Sequence, residues 1–164
     1  MYKVGVLTLS DKGARGERQD KSGPKIKEMV SQHFQGQVVR YQVIPDDEYQ
    51  IKKQLITWTD IDKLNLILTT GGTGLSPSDV TPQATLSVID FQVPGITEAM
   101  RWVSYKKTVK AVLSRAVAGV RDKTLIINLP GSPKAVEECL GAVIDALPHG
   151  LDSLKGLVED CGTD

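Results

Sequence analysis

Three glycines in four positions, Gly71, Gly72 and Gly74 with Thr73 between them, follow the short apolar run Leu64-Asn65-Leu66-Ile67-Leu68. Residues of this kind at this spacing can hold phosphate. Glycine takes positive φ without a steric penalty, and a run of such residues lets backbone N–H groups close on an anion. A polar loop carrying Asp79 comes next, and then Thr81-Pro82, a hydroxyl before a proline that reads as a helix start. The turn is not a P-loop, because Leu75-Ser76 stands where a Lys-Ser/Thr pair is needed. As a dinucleotide fingerprint it lacks the third glycine, whose place Pro77 takes, although Asp90 lies about 20 residues on. Two other readings stay open here: a strand-to-helix turn with no ligand, and a nicotinamide oxidoreductase resting on Gly72-x-Gly74 with Asp90.

Carboxylates and small polar residues recur after the other apolar runs. Ser10-Asp11 follows the first, Pro45-Asp46 the second and Pro130-Gly131-Ser132 the last. If those runs are parallel strands, their carboxyl ends share one edge of a sheet, where ligands bind in open α/β folds. Asp46 and Asp79 then approach each other beside the glycine turn. Two carboxylates next to bound phosphate suit Mg²⁺, which takes a few carboxylate oxygens, waters and substrate oxygens. Such an ion neutralises a transferring phosphoryl or nucleotidyl group. Plainer roles are available to the same residues. Asp46 or Asp47 can cap the helix from Glu48, Asp79 can cap its own loop, and Ser132-Pro133 is a good helix cap. Ser114 and Arg115 can be a structural pair.

The elements that must position these residues alternate. Strands are predicted over Tyr2–Leu9, Gln37–Ile44, Leu64–Thr69 and Thr124–Leu129, with Val39, Tyr41 and Val43 on one face of the second. Helices are predicted from Ser22-Gly23-Pro24 to Phe34, from Glu48 with Ile51, Leu55 and Trp58 inward, over Pro82–Ile89, and around Ile96, Met100 and Val103. A long helix over Lys134–Leu147 and a short one over His149–Val158 close the chain. Ser10 to Lys21 reads as a long polar loop, and Ala111–Val120 is ambiguous between strand and irregular chain. The pattern implies an α/β fold in three layers, a mostly parallel open sheet with helices on both faces, and an antiparallel edge or hairpin is allowed.

The chain has 164 residues, which suits one domain over residues 1–164. Twenty basic and 20 acidic side chains cancel, arguing against a coat for nucleic acid or an anionic membrane. No apolar run approaches the ~20 residues of a membrane helix. Met1-Tyr2-Lys3-Val4 enters a strand directly, so no signal peptide is expected. Cys139 and Cys161 have no metal spacing and read as reduced thiols of a cytoplasmic protein. His33 and His149 have no ligand-like partners in the sequence and read as surface or helix-end residues.

Four motifs occur in an order that resembles the molybdopterin-binding family of the Mog and MoaB type, to which the G domain of gephyrin is similar. They are Thr69-Thr70-Gly71-Gly72-Thr73-Gly74, Asp79-Val80-Thr81-Pro82, Leu113-Ser114-Arg115 and Asn128-Leu129-Pro130-Gly131-Ser132-Pro133. The resemblance covers nearly the whole chain. It implies a trimer and a molybdopterin adenylyltransferase: Mg²⁺-dependent transfer of AMP from ATP to the terminal phosphate of molybdopterin, with release of pyrophosphate. It implies that Asp46 and Asp79 are catalytic and hold the metal. Nucleotide phosphate falls to Gly71, Gly72, Thr73 and Gly74, with Ser114, Arg115, Pro130, Gly131 and Ser132. Pterin contacts fall to Ser10, Asp11, Thr81 and Glu98. The product would pass to a molybdenum-insertion enzyme. A non-catalytic pterin carrier or scaffold on the same fold is the alternative. The acyl-transfer machinery of an activated Ser or Cys is not needed, because a phosphate oxygen is already a nucleophile near neutral pH; the task is to bring two anions together.

Overall fold

The structure, a computed structural model, describes residues 1–157; Cys161 and the predicted end of the last helix at Val158 lie outside them. One six-stranded sheet runs through these residues in the order β2-β1-β3-β6-β5-β4. The strands are β1 (Tyr2–Leu9), β2 (Gly36–Ile44), β3 (Leu66–Thr70), β4 (Phe91–Gln92), β5 (Ala118–Arg121) and β6 (Thr124–Leu129). The first four in that order are parallel, and β5 and β4 add an antiparallel margin. The helices are α1 (Asp11–Ala14), α2 (Ser22–His33), α3 (Glu48–Ile56), α4 (Thr81–Leu86), α5 (Pro94–Tyr105), α6 (Pro133–Gly141) and α7 (Leu147–Leu154).

The central strands are buried on both faces, which explains why they read as unbroken apolar runs. Along β3, Leu66 and Leu68 face the core under α2, α5, α6 and α7, whereas Ile67 faces the core under α3 and α4. β6 alternates likewise, with Ile127 on one side and Ile126 on the other. The result is the three-layer α/β architecture. Among the described residues no helix is long and apolar enough to cross a membrane.

Several local expectations need correction. The loop after β1 contains the short helix α1, started by the Ser10 hydroxyl accepting from the Gly13 amide. A β-bulge shifts the β1–β2 register between Val4 and Gly5, so β2 does not keep one face. Val39 packs with the α3 side, while the Tyr41 hydroxyl reaches Asp20 beside α2. The predicted helix over Lys134–Leu147 is broken. α6 ends at Gly141, a 3₁₀ turn spans Ile144–Ala146, and Pro148 lies in the first turn of a new helix, α7. Deeper in a helix that proline would remove a hydrogen bond and clash with the preceding turn. The ambiguous Ala111–Val120 resolves into the end of a 3₁₀ turn (Val109–Leu113), an extended stretch through Arg115, and β5. The two-residue β4 has no apolar run to announce it.

Candidate active site

Ser10, Pro45, Gly71 and Pro130 follow parallel strands and meet at the carboxyl edge of the sheet. The glycine turn at its centre is inverted by its own neighbours. The Gly71 carbonyl accepts from the Thr81 hydroxyl (2.9 Å) and the Gly72 carbonyl from the Thr81 amide (3.2 Å). The Thr73 carbonyl accepts from the Arg115 amide and the Gly74 carbonyl from Arg115 Nε (2.8 Å). A planar trans peptide points its N–H opposite to its C=O. Four consecutive carbonyls held inward therefore turn the amides of Gly72, Thr73, Gly74 and Leu75 toward the rim, an arrangement suited to an anion. The backbone demands glycine here: φ is +97° at Gly71 and +67° at Gly72, and a Cβ on Gly72 would strike the buried Thr81 hydroxyl.

Arg115 serves the turn more than the rim. Its Nη2 donates to the Asp79 carbonyl (2.6 Å) and its Nη1 to Gln83 Oε1 (3.1 Å), besides the bond to Gly74. What it offers a ligand is charge rather than an open guanidinium fork. Thr81 is wholly buried under the turn.

Two carboxylates flank these amides. Asp46 Oδ1 lies 3.2 Å from where a Gly72 Cβ would stand, and Asp79 Oδ2 lies 2.8 Å from the equivalent point on Gly74. Asp46 and Asp11 grip each other reciprocally: each carboxylate accepts from the other's amide, at 3.1 and 2.9 Å. Asp79 also closes its own loop by accepting from the Ser76 amide (2.9 Å). The helix cap of α3 is Asp47, which accepts from the Gln50 amide and leaves Asp46 at the rim. Burial pushes the Asp46 carboxyl above its ordinary range; the Asp11 amide pulls it back, and the charges of Asp11 and Asp79 push it up further. The crowded carboxylates offer oxygen ligands that fit a hard divalent cation, and the outward amides beside them suit the phosphate it would accompany. Among the described residues no group of three or more His, Cys, Asp or Glu could hold a metal, so such an ion would take the rest of its shell from water and phosphate, as Mg²⁺ does.

Hollows open on two sides of the turn. The larger, about 590 Å³, is lined by Ser10, Gly71, Gly131 and Ser132. The smaller, about 290 Å³ and more apolar, is lined by Thr73, Gly74, Ser114 and Pro130. Neither Asp46 nor Asp79 lines either one; they stand at the turn itself. Ser132 caps α6 through the Ala135 amide. Glu98 is not brought to this rim: it is exposed on α5, in a shallow depression with Trp102 and Val112. Asp90, needed for a nicotinamide site, accepts from the Asp122 amide in the hairpin at the other edge of the sheet. The structure adds Thr8, Asp20, Ser22 and Thr70 to the larger hollow. Thr70 falls in the Thr69–Gly74 motif, and the sequence signal for Asp20 and Ser22 is the Asp20-Lys21-Ser22-Gly23 run at a helix start.

The chain is similar to known proteins over most of its length. The family described as "Probable molybdopterin binding domain" matches residues 5–149. A molybdopterin adenylyltransferase of Helicobacter pylori is 42% identical over 154 residues, covering 93% of this chain and 88% of its own. Gephyrin of Dictyostelium discoideum is 45% identical over 157 residues, 90% of this chain but 22% of that protein. The solved structure of the molybdopterin biosynthesis enzyme MoaB from Thermus thermophilus superposes with a TM-score of 0.90 at 52% identity, covering 95% of this chain and 98% of that one.

Proposed function

The chain belongs to the molybdopterin-binding domain family, and on that premise we propose that it is a molybdopterin adenylyltransferase acting in molybdenum cofactor biosynthesis. It transfers AMP from ATP to the terminal phosphate of molybdopterin and releases pyrophosphate. The observation that carries this reading is the inverted glycine turn with Asp46 and Asp79 on either side. Outward amides hold phosphate oxygens and stabilise charge that builds up as the α-phosphate is attacked. Arg115 and Thr81 fix those amides in advance, so little reorganisation accompanies the reaction. The incoming phosphate is already ionised, and no side chain has to generate a nucleophile. Mg²⁺ held by Asp46 and Asp79 would neutralise the transferring group and its pyrophosphate leaving group.

The same reading takes residues 1–164 as one domain in the cytoplasm and the product as the substrate of a molybdenum-insertion enzyme. It also takes the protein as a homotrimer, which the exposed Trp102, Tyr105, Val109 and Val112 of α5 and the following turn support; sedimentation tests it. For the activity, the protein is incubated with ATP, Mg²⁺ and molybdopterin and pyrophosphate is followed. Release dependent on all three is expected. Tight pterin binding without release overturns the transferase in favour of a carrier.

A further inference from the structure

We propose that Asp20 is a positioning residue of the transfer site, acting through the first turn of α2 and the Ser22 hydroxyl on the Gly131 loop that abuts the glycine turn. The proposal rests on the adenylyl-transfer reading for its kinetic readout alone. Asp20 stands one residue before the end of the segment between α1 and α2, and its carboxylate collects four donors. Oδ2 accepts from the Thr8 hydroxyl and the Tyr41 hydroxyl, both at 2.7 Å. Oδ1 accepts from the amides of Ser22 (3.0 Å) and Gly23 (3.1 Å). One side chain thereby ties β1, β2 and the start of α2 together. It acts as the cap, since Lys21, at the N-cap position, makes no side-chain bond. Burial first, and then the Asp20 carboxylate, push the Tyr41 hydroxyl up to about 12, so it keeps the proton it donates.

Gly23 shows how close this packing is. A Cβ there would strike Asp20 Oδ2 and lie 2.6 Å from the Tyr41 ring and 2.9 Å from Thr8 Oγ1. From this fixed turn the buried Ser22 hydroxyl donates to the Gly131 carbonyl at 2.6 Å. The neighbouring Pro130 carbonyl accepts from the Thr70 hydroxyl, also at 2.6 Å. The loop after β6 is thus held at two successive carbonyls from two different elements. That loop touches the glycine turn: a Cβ on Gly131 would stand 3.5 Å from Gly71 Cα. Asp20, Ser22, Gly131 and Gly71 line one hollow. Asp20 already takes the Ser22 and Gly23 amides at the N-terminus of α2, so those amides are not open to an anion in this hollow.

The experiment compares Asp20→Ala, Asp20→Asn and Ser22→Ala in the full chain. Pyrophosphate release gives kcat and KM for each substrate, and nuclear magnetic resonance reads the Gly71 and Gly131 amides without substrate. Asp20→Ala is expected to lower kcat/KM by about 10²-fold, the scale of a misplaced site, and Ser22→Ala by about tenfold, the scale of one bond. In both, the loss falls on KM for one substrate and spares the other's, a selectivity that general destabilisation does not produce. Asp20→Asn restores most of the loss, because a carboxamide keeps all four contacts once the two hydroxyls reverse their roles. Equal losses in Asp20→Asn and Asp20→Ala overturn the proposal in favour of a role for charge. Unchanged KM values with unshifted Gly71 and Gly131 amides in Ser22→Ala overturn it outright. If Asp20→Ala does not fold, the other two variants decide. If the unaltered protein releases no pyrophosphate, the transfer reading fails, and the amide shifts alone judge the relay.

Discussion

Acids gather at both edges of the sheet and meet opposite surroundings. At the amino edge, Asp60 receives both Nε and Nη2 of Arg121, at 3.0 and 2.6 Å, and the third guanidinium nitrogen reaches the Val88 carbonyl. The Arg121 guanidinium holds the Asp60 carboxyl below its ordinary range. Nearby, Asp90 takes the Asp122 amide in the β5–β6 hairpin. At the carboxyl edge, Asp46 lies against a glycine turn with Asp11 and Asp79 as like-charged neighbours, and its carboxyl is pushed up. Arg115, a cation at that edge, gives its nitrogens to the turn and to Gln83 rather than to an acid. The amino edge sets a cation against its acid Asp60. The carboxyl edge binds Asp11, Asp46 and Asp79 through backbone amides and leaves their charges crowded together, the kind of local conflict that persists where a site needs it.

The sharpest way to break this contrast is to remove an acid from the crowded edge. Asp79→Ala or Asp46→Asn should cut turnover by at least ~10²-fold, the scale of losing a transition-state electrostatic contact. Far-UV circular dichroism should stay native. Wild-type-like turnover in both variants would take those acids out of the reaction. Next in size is Arg115→Ala, which releases the carbonyls of Gly74 and Asp79. The amides then lose their fixed direction, and turnover should fall roughly tenfold or more together with the melting temperature. A loss of turnover that added arginine-like guanidinium restores would support this positioning role.

Most of the fold is legible in the sequence because the central parallel strands are apolar on both faces, and the parallel strands run into serine, proline or glycine. Thr124–Leu129 appears in the structure with the predicted bounds. The failures have local causes. The break after Gly141 depends on Pro148 falling in a first turn, and the Val39 bulge depends on how two strands pair, which no single segment encodes. The rim is legible as a set of loops because strand order fixes where they meet. Its inner roles are not. That Arg115 and Thr81 face the carbonyls of the turn rather than a ligand depends on side-chain direction across long sequence separations. Glu98 is placed by resemblance alone and lies on another surface. Asp20 is visible in the sequence only as the first residue of a polar run at a helix start, which says nothing of the four donors it collects.

At the paired edge the expectation reverses. Arg121→Ala removes a bidentate contact with Asp60 and a bond to the Val88 carbonyl. It should destabilise the fold by about 1–3 kcal/mol, the range for hydrogen bonds to charged groups, which lowers the melting temperature by a few degrees. Turnover per folded molecule should not change, since Arg121 touches nothing at the carboxyl edge. A loss of turnover without loss of stability would end the division of labour between the two edges.

The smallest effect separates the edges by pH. A carboxyl whose folded pKa lies above its unfolded value opposes folding when ionised, and protonation of the native state relieves this. Asp46→Asn, which can still accept the Asp11 amide, should therefore melt higher than the unaltered protein at pH 7 without metal or nucleotide. That advantage should vanish as pH falls through the raised Asp46 pKa toward the ordinary carboxylate range. Asp60 carries the opposite sign: its contribution is present above the unfolded pKa and is lost as pH falls through its lowered folded value. Acidification should thus relax the crowded edge before it weakens the paired one. Melting curves of Asp46→Asn and Arg121→Ala against pH check the order, and an Asp46→Asn advantage that grows on acidification would contradict the crowding on which the contrast stands.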